Sequence, residues 1–187
     1  IGIVGLGDIG YAVARVAMAM DMNVLAYRRN PDPSLECEQL RYVDLDTLLR
    51  ESDIVSLHCP LNDETRGLIN AAAIEKMKDG AVVLNFARDA LVDDDAMEAA
   101  LKSGKIRKYV TDFPNQRTAG MEGVIAIPHL GASTEESEDN CAKMAVRQVM
   151  NYLENGNITN SVNFPNCDMG ICTKAARITI LHRNIPN

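Results

Sequence analysis

The chain has 187 residues, 47% of them apolar and 4% aromatic with no tryptophan, and 19 Lys and Arg against 26 Asp and Glu leave a formal charge of -7. That charge and the scatter of its basic residues exclude nucleic acid as a partner, and no apolar run approaches the roughly 20 residues that cross a bilayer, which excludes a membrane. The five cysteines, Cys37, Cys59, Cys141, Cys167 and Cys172, are odd in number and irregular in spacing, so they read as reduced thiols of a cytoplasmic protein, with no disulfide framework and no metal site.

Residues 1–131 alternate short β-rich runs with helical patterns, which predicts repeated βαβ units in a parallel sheet. Six strands are expected, at 1–4, 23–27, 54–58, 81–86, 108–112 and 124–127. Helices are expected at 9–20, 44–50 and 71–77, with a fourth capped by Asp93 and closed by Gly104. The stretch 113–123 has no helical period and reads as a loop lying over the site. Ser133 with Glu136 three residues on forms a capping box for a long helix. Ala142, Ala145, Val146, Val149, Met150 and Leu153 recur along one face of it, and Gly156 ends it. Beyond lie a polar linker or docking segment at 157–174 and a lone strand at 177–182, which cannot stabilise itself and has to pair elsewhere.

The strongest local signal is Ile3-Val4-Gly5-Leu6-Gly7-Asp8-Ile9-Gly10, a strand running through G-x-G-x-x-G into a helix. Gly5 permits the tight turn, Gly7 admits a pyrophosphate against the backbone, and Gly10 lets helix and strand approach. The helix start at Asp8 and Ile9 supplies amide donors and positive potential. A glycine-rich turn alone would leave open a turn with no ligand. Its placement before a second strand at the right interval predicts a dinucleotide-binding, Rossmann-type doubly wound α/β sheet.

That second strand ends in Tyr27-Arg28-Arg29-Asn30, where an NAD-binding domain usually places an acidic residue for the adenine ribose. Guanidinium groups suit a 2′-phosphate, so Arg28 and Arg29 make NADP a candidate beside NAD. In the alternative, both are solvated charges and Asp32 or the backbone serves the ribose. Three later segments end strands on the ligand-binding side of such a sheet and carry Arg88, Asp112 and His129. Singly, each would be a surface charge or a satisfied ring; together they predict one crevice.

In four ordered motifs over nearly its full length, the chain resembles the D-isomer-specific 2-hydroxyacid dehydrogenases. Besides the glycine turn, Ser56-Leu57-His58-Cys59-Pro60-Leu61 with Glu64-Thr65-Arg66-Gly67 resembles the family's strand and loop beside the cofactor. Asn85 to Asp93 resembles its N-x-x-R-G-x-x-V-D signature, with Asp89 in place of Gly. The resemblance implies that His129 is the general base, that Arg88 holds the substrate carboxylate and that Asp112 sits near the nicotinamide. Phe86, Ala87 and Leu130 to Ala132, including Gly131, would line the cofactor cleft. The family pairs its His with a Glu, and Gln116 comes to that place here; Gln cannot carry the charge that stabilises an imidazolium. Glu122 could substitute if the alignment slips.

The segment Asn157 to Pro165, containing Ser161-Val162-Asn163-Phe164-Pro165, resembles the one after the long helix in 3-phosphoglycerate dehydrogenases, and 177–186 resembles the opening strand of their regulatory ACT-type domain. The resemblance therefore implies a dinucleotide-binding domain at 1–156, then a linker and the truncated start of that regulatory domain at 157–187, with the N-terminal substrate-domain segment absent. The implied reaction is oxidation of 3-phosphoglycerate to 3-phosphohydroxypyruvate in serine biosynthesis. Cofactor binding with little or no turnover is expected of these 187 residues alone. The rivals are another acid, such as glyoxylate, hydroxypyruvate or formate, and a nucleotide-sensing module without catalysis. A homodimer through the nucleotide domains is implied, and the cluster Met18, Met20 and Met22 is compatible with it.

Overall fold

A computed structural model describes residues 1–180. Its sheet contains β1 (Gly2–Val4), β2 (Val24–Tyr27), β3 (Leu40–Tyr42), β4 (Ile54–Leu57), β5 (Ala81–Asn85), β6 (Ile106–Thr111) and β7 (Val124–Ala126). The spatial order is β3-β2-β1-β4-β5-β6-β7, and every neighbouring pair is parallel. The chain order reverses between β1 and β4, and in open sheets of this kind the crevice for ligands lies at that reversal, outside the carboxyl ends of the strands. The doubly wound α/β expectation therefore holds, with one strand more than expected. β3 has three residues, too few for period-2 alternation to register. It is held as an edge strand by pairing Leu40 with Val24 and burying the Leu40 side chain completely.

Alternation along the inner strands divides the core between the two faces of the sheet. Val4, Leu25, Val55, Leu57 and Val83 pack with Leu48, Leu49, Ile74 and Met97. These come from α2 (Leu45–Glu51), α3 (Ala71–Lys76) and α4 (Asp94–Ser103). Ile3, Val24 and Ala26 pack instead with Ala14 and Ala17 of α1 (Asp8–Ala19). The helix starts follow from short polar side chains that satisfy otherwise unpaired amides. Asp44 accepts from Thr47 N, Asn70 from Ala73 N and Asp93 from Ala96 N, while Gly104 closes α4 in the left-handed conformation.

The chain forms two compact units, 1–129 and 130–187. The second contains α5 (Glu135–Asn155). Its cap is Thr134, whose hydroxyl accepts from Ser137 N, and not the expected Ser133 with Glu136. The helix starts one residue later than the capping box requires, which leaves Ser133 outside it and Glu136 in its first turn. No residue of α5 is buried. The stretch after α5 turns back on itself, with Ile158 and Cys167 exchanging backbone hydrogen bonds of 2.8 and 2.9 Å. Asn157 is buried and accepts from Met169 N at 2.8 Å. Of the strand expected at 177–182, residues 177–180 have no strand structure; residues 181 and 182 lie outside the described residues, as does the rest of the expected ACT-type strand. Among the described residues no helix is long and apolar enough to cross a membrane.

Candidate functional site

The glycine turn lies at the reversal of strand order. Gly5 has φ +100°, and a methyl group added there would lie 2.7 Å from the backbone nitrogen of Cys59 and from the His58 carbonyl carbon. Only glycine lets the ends of β1 and β4 meet so closely. A methyl on Gly10 would overlap the Gly5 carbonyl oxygen, whereas one on Gly7 would meet nothing within 4 Å. Gly10 thus serves packing, and Gly7 leaves open the approach to the start of α1. Gly7 is also the cap of α1 and makes no side-chain hydrogen bond to it, so the first amides of the helix, at Asp8 and Ile9, remain available to an anion. Asp8 and Ile9 are both exposed. These features fit the diphosphate of a dinucleotide.

A cleft of about 380 Å³ opens from this turn. Gly5, Gly7, Tyr27, Arg28, Arg29, His58, Cys59, Pro60 and Glu64 are among its lining residues, so the structure places two of the three glycines, the two arginines and the 58–60 segment around one cleft. Arg29 reaches across to Glu64 at 3.1 Å, and both side chains are almost three-quarters exposed. Arg28 has no ion pair among the described residues. Asp32 is turned to local work: its Oδ1 accepts from the Ser34 hydroxyl at 2.6 Å and the Ser34 amide at 3.1 Å, which holds the carboxyl below its usual range. His58 is half-buried, with Nε2 2.8 Å from Ser56 Oγ, and burial lowers its tendency to protonate. Burial also raises the Cys59 thiol, which leaves it protonated and inert near neutral pH.

Farther along the same edge, side chains form an acid–base corner. Asn85, fully buried at the end of β5, donates to Arg88 O at 2.8 Å and Tyr109 OH at 3.1 Å and accepts from Ala87 N at 3.2 Å. One satisfied amide thereby fixes the turn that presents Arg88. Phe86 is exposed and Ala87 half-buried on that turn. The Arg88 guanidinium donates to Ala87 O at 2.6 Å and lies 5.3 Å from the centroid of the Phe113 ring.

Asp112 and His129 follow the adjacent strands β6 and β7, and His129 Nδ1 is 2.8 Å from Asp112 Oδ2. The Asp112 side chain is 11% exposed and that of His129 54%. A carboxylate only accepts, so Nδ1 carries the proton and a neutral ring keeps its lone pair on Nε2. Asp112 Oδ1 is buried without a partner among the described residues.

The expected partner of His129 is thereby corrected. Gln116 is exposed in the turn after β6, and neither Gln116 nor Glu122 hydrogen-bonds to the ring; the carboxylate comes from Asp112. The turn faces Gln116 outward because its neighbours are tied to α4. Asn115 donates to Asp94 at 2.8 Å, and Arg117 pairs with Glu98 at 2.7 Å and also with Asp95. Phe113 was not singled out as a site residue, and its neighbours in sequence give no signal: its contacts to Arg88 and to His129, 4.3 Å between ring centroids, arise only when β5, β6 and β7 lie side by side. Gly131 and Ala132 belong to the second unit and are exposed.

The profile of the D-isomer specific 2-hydroxyacid dehydrogenase, NAD binding domain, matches residues 1–131. The chain belongs to that family. It is 34% identical to the D-3-phosphoglycerate dehydrogenase of Haemophilus influenzae, over 100% of this chain and 48% of that protein. It is 38% identical to the hydroxypyruvate reductase of Blautia hydrogenotrophica, over 87% of this chain and 52% of that protein. Among solved structures, the NAD-complexed D-isomer specific 2-hydroxyacid dehydrogenase of Lactobacillus delbrueckii ssp. bulgaricus matches with a TM-score of 0.79 and 32% identity, over 87% of this chain and 55% of that one. The chain spans about half the length of these relatives.

Proposed function

We propose that the 1–129 unit binds a nicotinamide dinucleotide and serves an oxidoreductase acting on the CH–OH group of a D-2-hydroxyacid. The His129–Asp112 pair beside Arg88 carries this reading. The amides at Gly7, Asp8 and Ile9 hold the diphosphate, with the adenosine end toward Arg28, Arg29 and His58. Bound there, the dinucleotide supplies the hydride acceptor. His129 takes the hydroxyl proton at Nε2, while Asp112 fixes the tautomer and stabilises the imidazolium that forms. Arg88 grips the substrate carboxylate with two parallel donors.

The substrate we propose is 3-phosphoglycerate, oxidised to 3-phosphohydroxypyruvate. Support comes from the 157–165 segment and from the Haemophilus relative, whose similarity runs over 100% of the chain where that of the Blautia reductase runs over 87%. Reduction of hydroxypyruvate or glyoxylate is the competing reading, supported by the 38% identity to the Blautia reductase. Arg28, without an ion pair among the described residues, supports NADP as a second cofactor, and exposed Ile9 and Val16 on α1 with Met20 at its C-terminal cap support a homodimer through that helix.

Calorimetric titration with NAD and NADP side by side tests the cofactor assignment. Binding of at least one is expected, and no affinity for either removes the reading. A clear preference for NAD removes the NADP proposal alone. Titration of 3-phosphoglycerate, hydroxypyruvate and glyoxylate into the dinucleotide-loaded chain then separates the substrates by affinity.

A further inference from the structure

We infer that Phe113 is a positioning residue for the acid–base corner, its ring holding the Arg88 guanidinium and the His129 imidazole in place before substrate arrives. The inference rests on the roles proposed above for Arg88 and His129. Arg88 engages one donor on Ala87 O, and the rest of its fork has no anionic partner among the described residues. A long side chain in that state loses rotamer freedom when it grips a ligand. The Phe113 ring restricts it in advance, because a guanidinium 5.3 Å from the ring centroid is within cation–π range. The same ring lies 4.3 Å from the His129 ring at an interplanar angle of 42°, which limits rotation of the imidazole about its own axis.

Asp112 and Phe113 are consecutive, so one turn sets both which nitrogen of His129 carries the proton and how the ring is inclined. That turn is itself held. Phe113 N donates to Thr111 Oγ1 at 3.1 Å, and Asn115 N donates to Thr118 Oγ1 at 2.9 Å, with Thr111 and Thr118 both buried. The backbone that carries the phenyl group is therefore held by its own loop.

The test compares Phe113→Leu, Phe113→Tyr and Arg88→Ala in the 187-residue chain by NMR, with oxamate as the carboxylate probe in the presence of NADH. In the unsubstituted chain the ring current of Phe113 displaces the His129 ring protons and the Arg88 side-chain signals. Phe113→Leu removes both displacements, and Phe113→Tyr keeps them. Oxamate affinity falls about three- to tenfold in Phe113→Leu, the range for loss of a partly desolvated cation–π contact, and Phe113→Tyr restores it. Ring-proton signals that do not move in Phe113→Leu overturn the inference, and so does unchanged oxamate affinity. Oxamate binding that is absent or indifferent to Arg88→Ala overturns the carboxylate role of Arg88 instead; the ring-current comparison then decides on Phe113 alone.

Discussion

At the β1/β4 end of the edge the working parts are backbone: a glycine with φ +100°, helix amides and a turn into which added methyl groups either collide or project freely. At the β5–β7 end they are side chains, with Asn85 bracing Arg88, Asp112 holding His129, and Phe113 between. A site made of backbone tolerates few changes, since each glycine has one steric duty. A site made of side chains can lose a contact and remain folded, so its failures should appear as chemistry and not as unfolding.

The largest expected effect on stability is at Gly10, where a methyl group would overlap the Gly5 carbonyl oxygen. Gly10→Ala should cost about 1–3 kcal/mol, as overpacking of a tight contact does, and thermal melting should show it. Gly7→Ala is the counterpart. Its methyl meets nothing within 4 Å, so the melting temperature should match the parent while dinucleotide affinity drops at least about tenfold, equivalent to about 1.4 kcal/mol. If Gly7→Ala binds the dinucleotide normally, the backbone account of this end is wrong.

Asp112→Asn sharpens the other side. An amide nitrogen turned toward Nδ1 donates, which moves the ring proton to Nε2 and deprives the ring of the lone pair that accepts the substrate proton. In serine-hydrolase triads the same exchange costs about 10⁴ in rate. Here the direct readout is the tautomer of His129 by nitrogen-15 NMR: the Nδ1–H form in the parent, the Nε2–H form in Asp112→Asn, and both with the same stability within about 1 kcal/mol. An Nε2–H ring in the parent would contradict the pairing.

The same contrast explains how much of the molecule was legible beforehand. The glycine turn was readable because its parts lie within ten residues and each spacing has a steric reason. Arg88, Asp112 and His129 were readable as strand-end residues, since alternating strands and helices imply that successive ends share an edge. The partner of His129 was not. Counting along 113–123 led to Gln116, but pairing is decided by the β6–β7 register and by the ties to α4, neither of which is local. Phe113 escaped for the same reason. β3 escaped through shortness, and the α5 cap shifted by one residue because Ser133 and Thr134 are both good caps and only the helix start chooses between them.

A smaller effect belongs to His58 at the backbone end. Burial holds its imidazole below the usual 6.5, so the unfolded chain takes up that proton more readily than the folded one. Stability is therefore undiminished above about pH 6.5 and declines as pH falls from there toward the folded value. His58→Gln should flatten this part of the stability–pH curve while keeping a side chain able to reach Ser56. An unchanged slope in that variant would show that another group titrates.

The smallest effect is expected at Glu98, outside both ends of the site. Glu98 accepts from Lys102 at 2.6 Å and from Arg117 at 2.7 Å, and these cations lower its carboxyl from 4.5 to about 2. Its contribution is thus complete above about pH 4.5 and is lost as pH falls toward 2, weakened throughout because water and salt screen exposed pairs. Glu98→Gln removes one anchor of the 113–123 turn and leaves Asp95 on Arg117 and Asp94 on Asn115. Amide exchange at Arg117 and Thr118 should quicken, and dinucleotide affinity should stay the same, because the turn supports only the side-chain end of the site. Were affinity to fall as well, the two ends would be mechanically joined through α4, and the turn would be holding the whole edge rather than one corner of it.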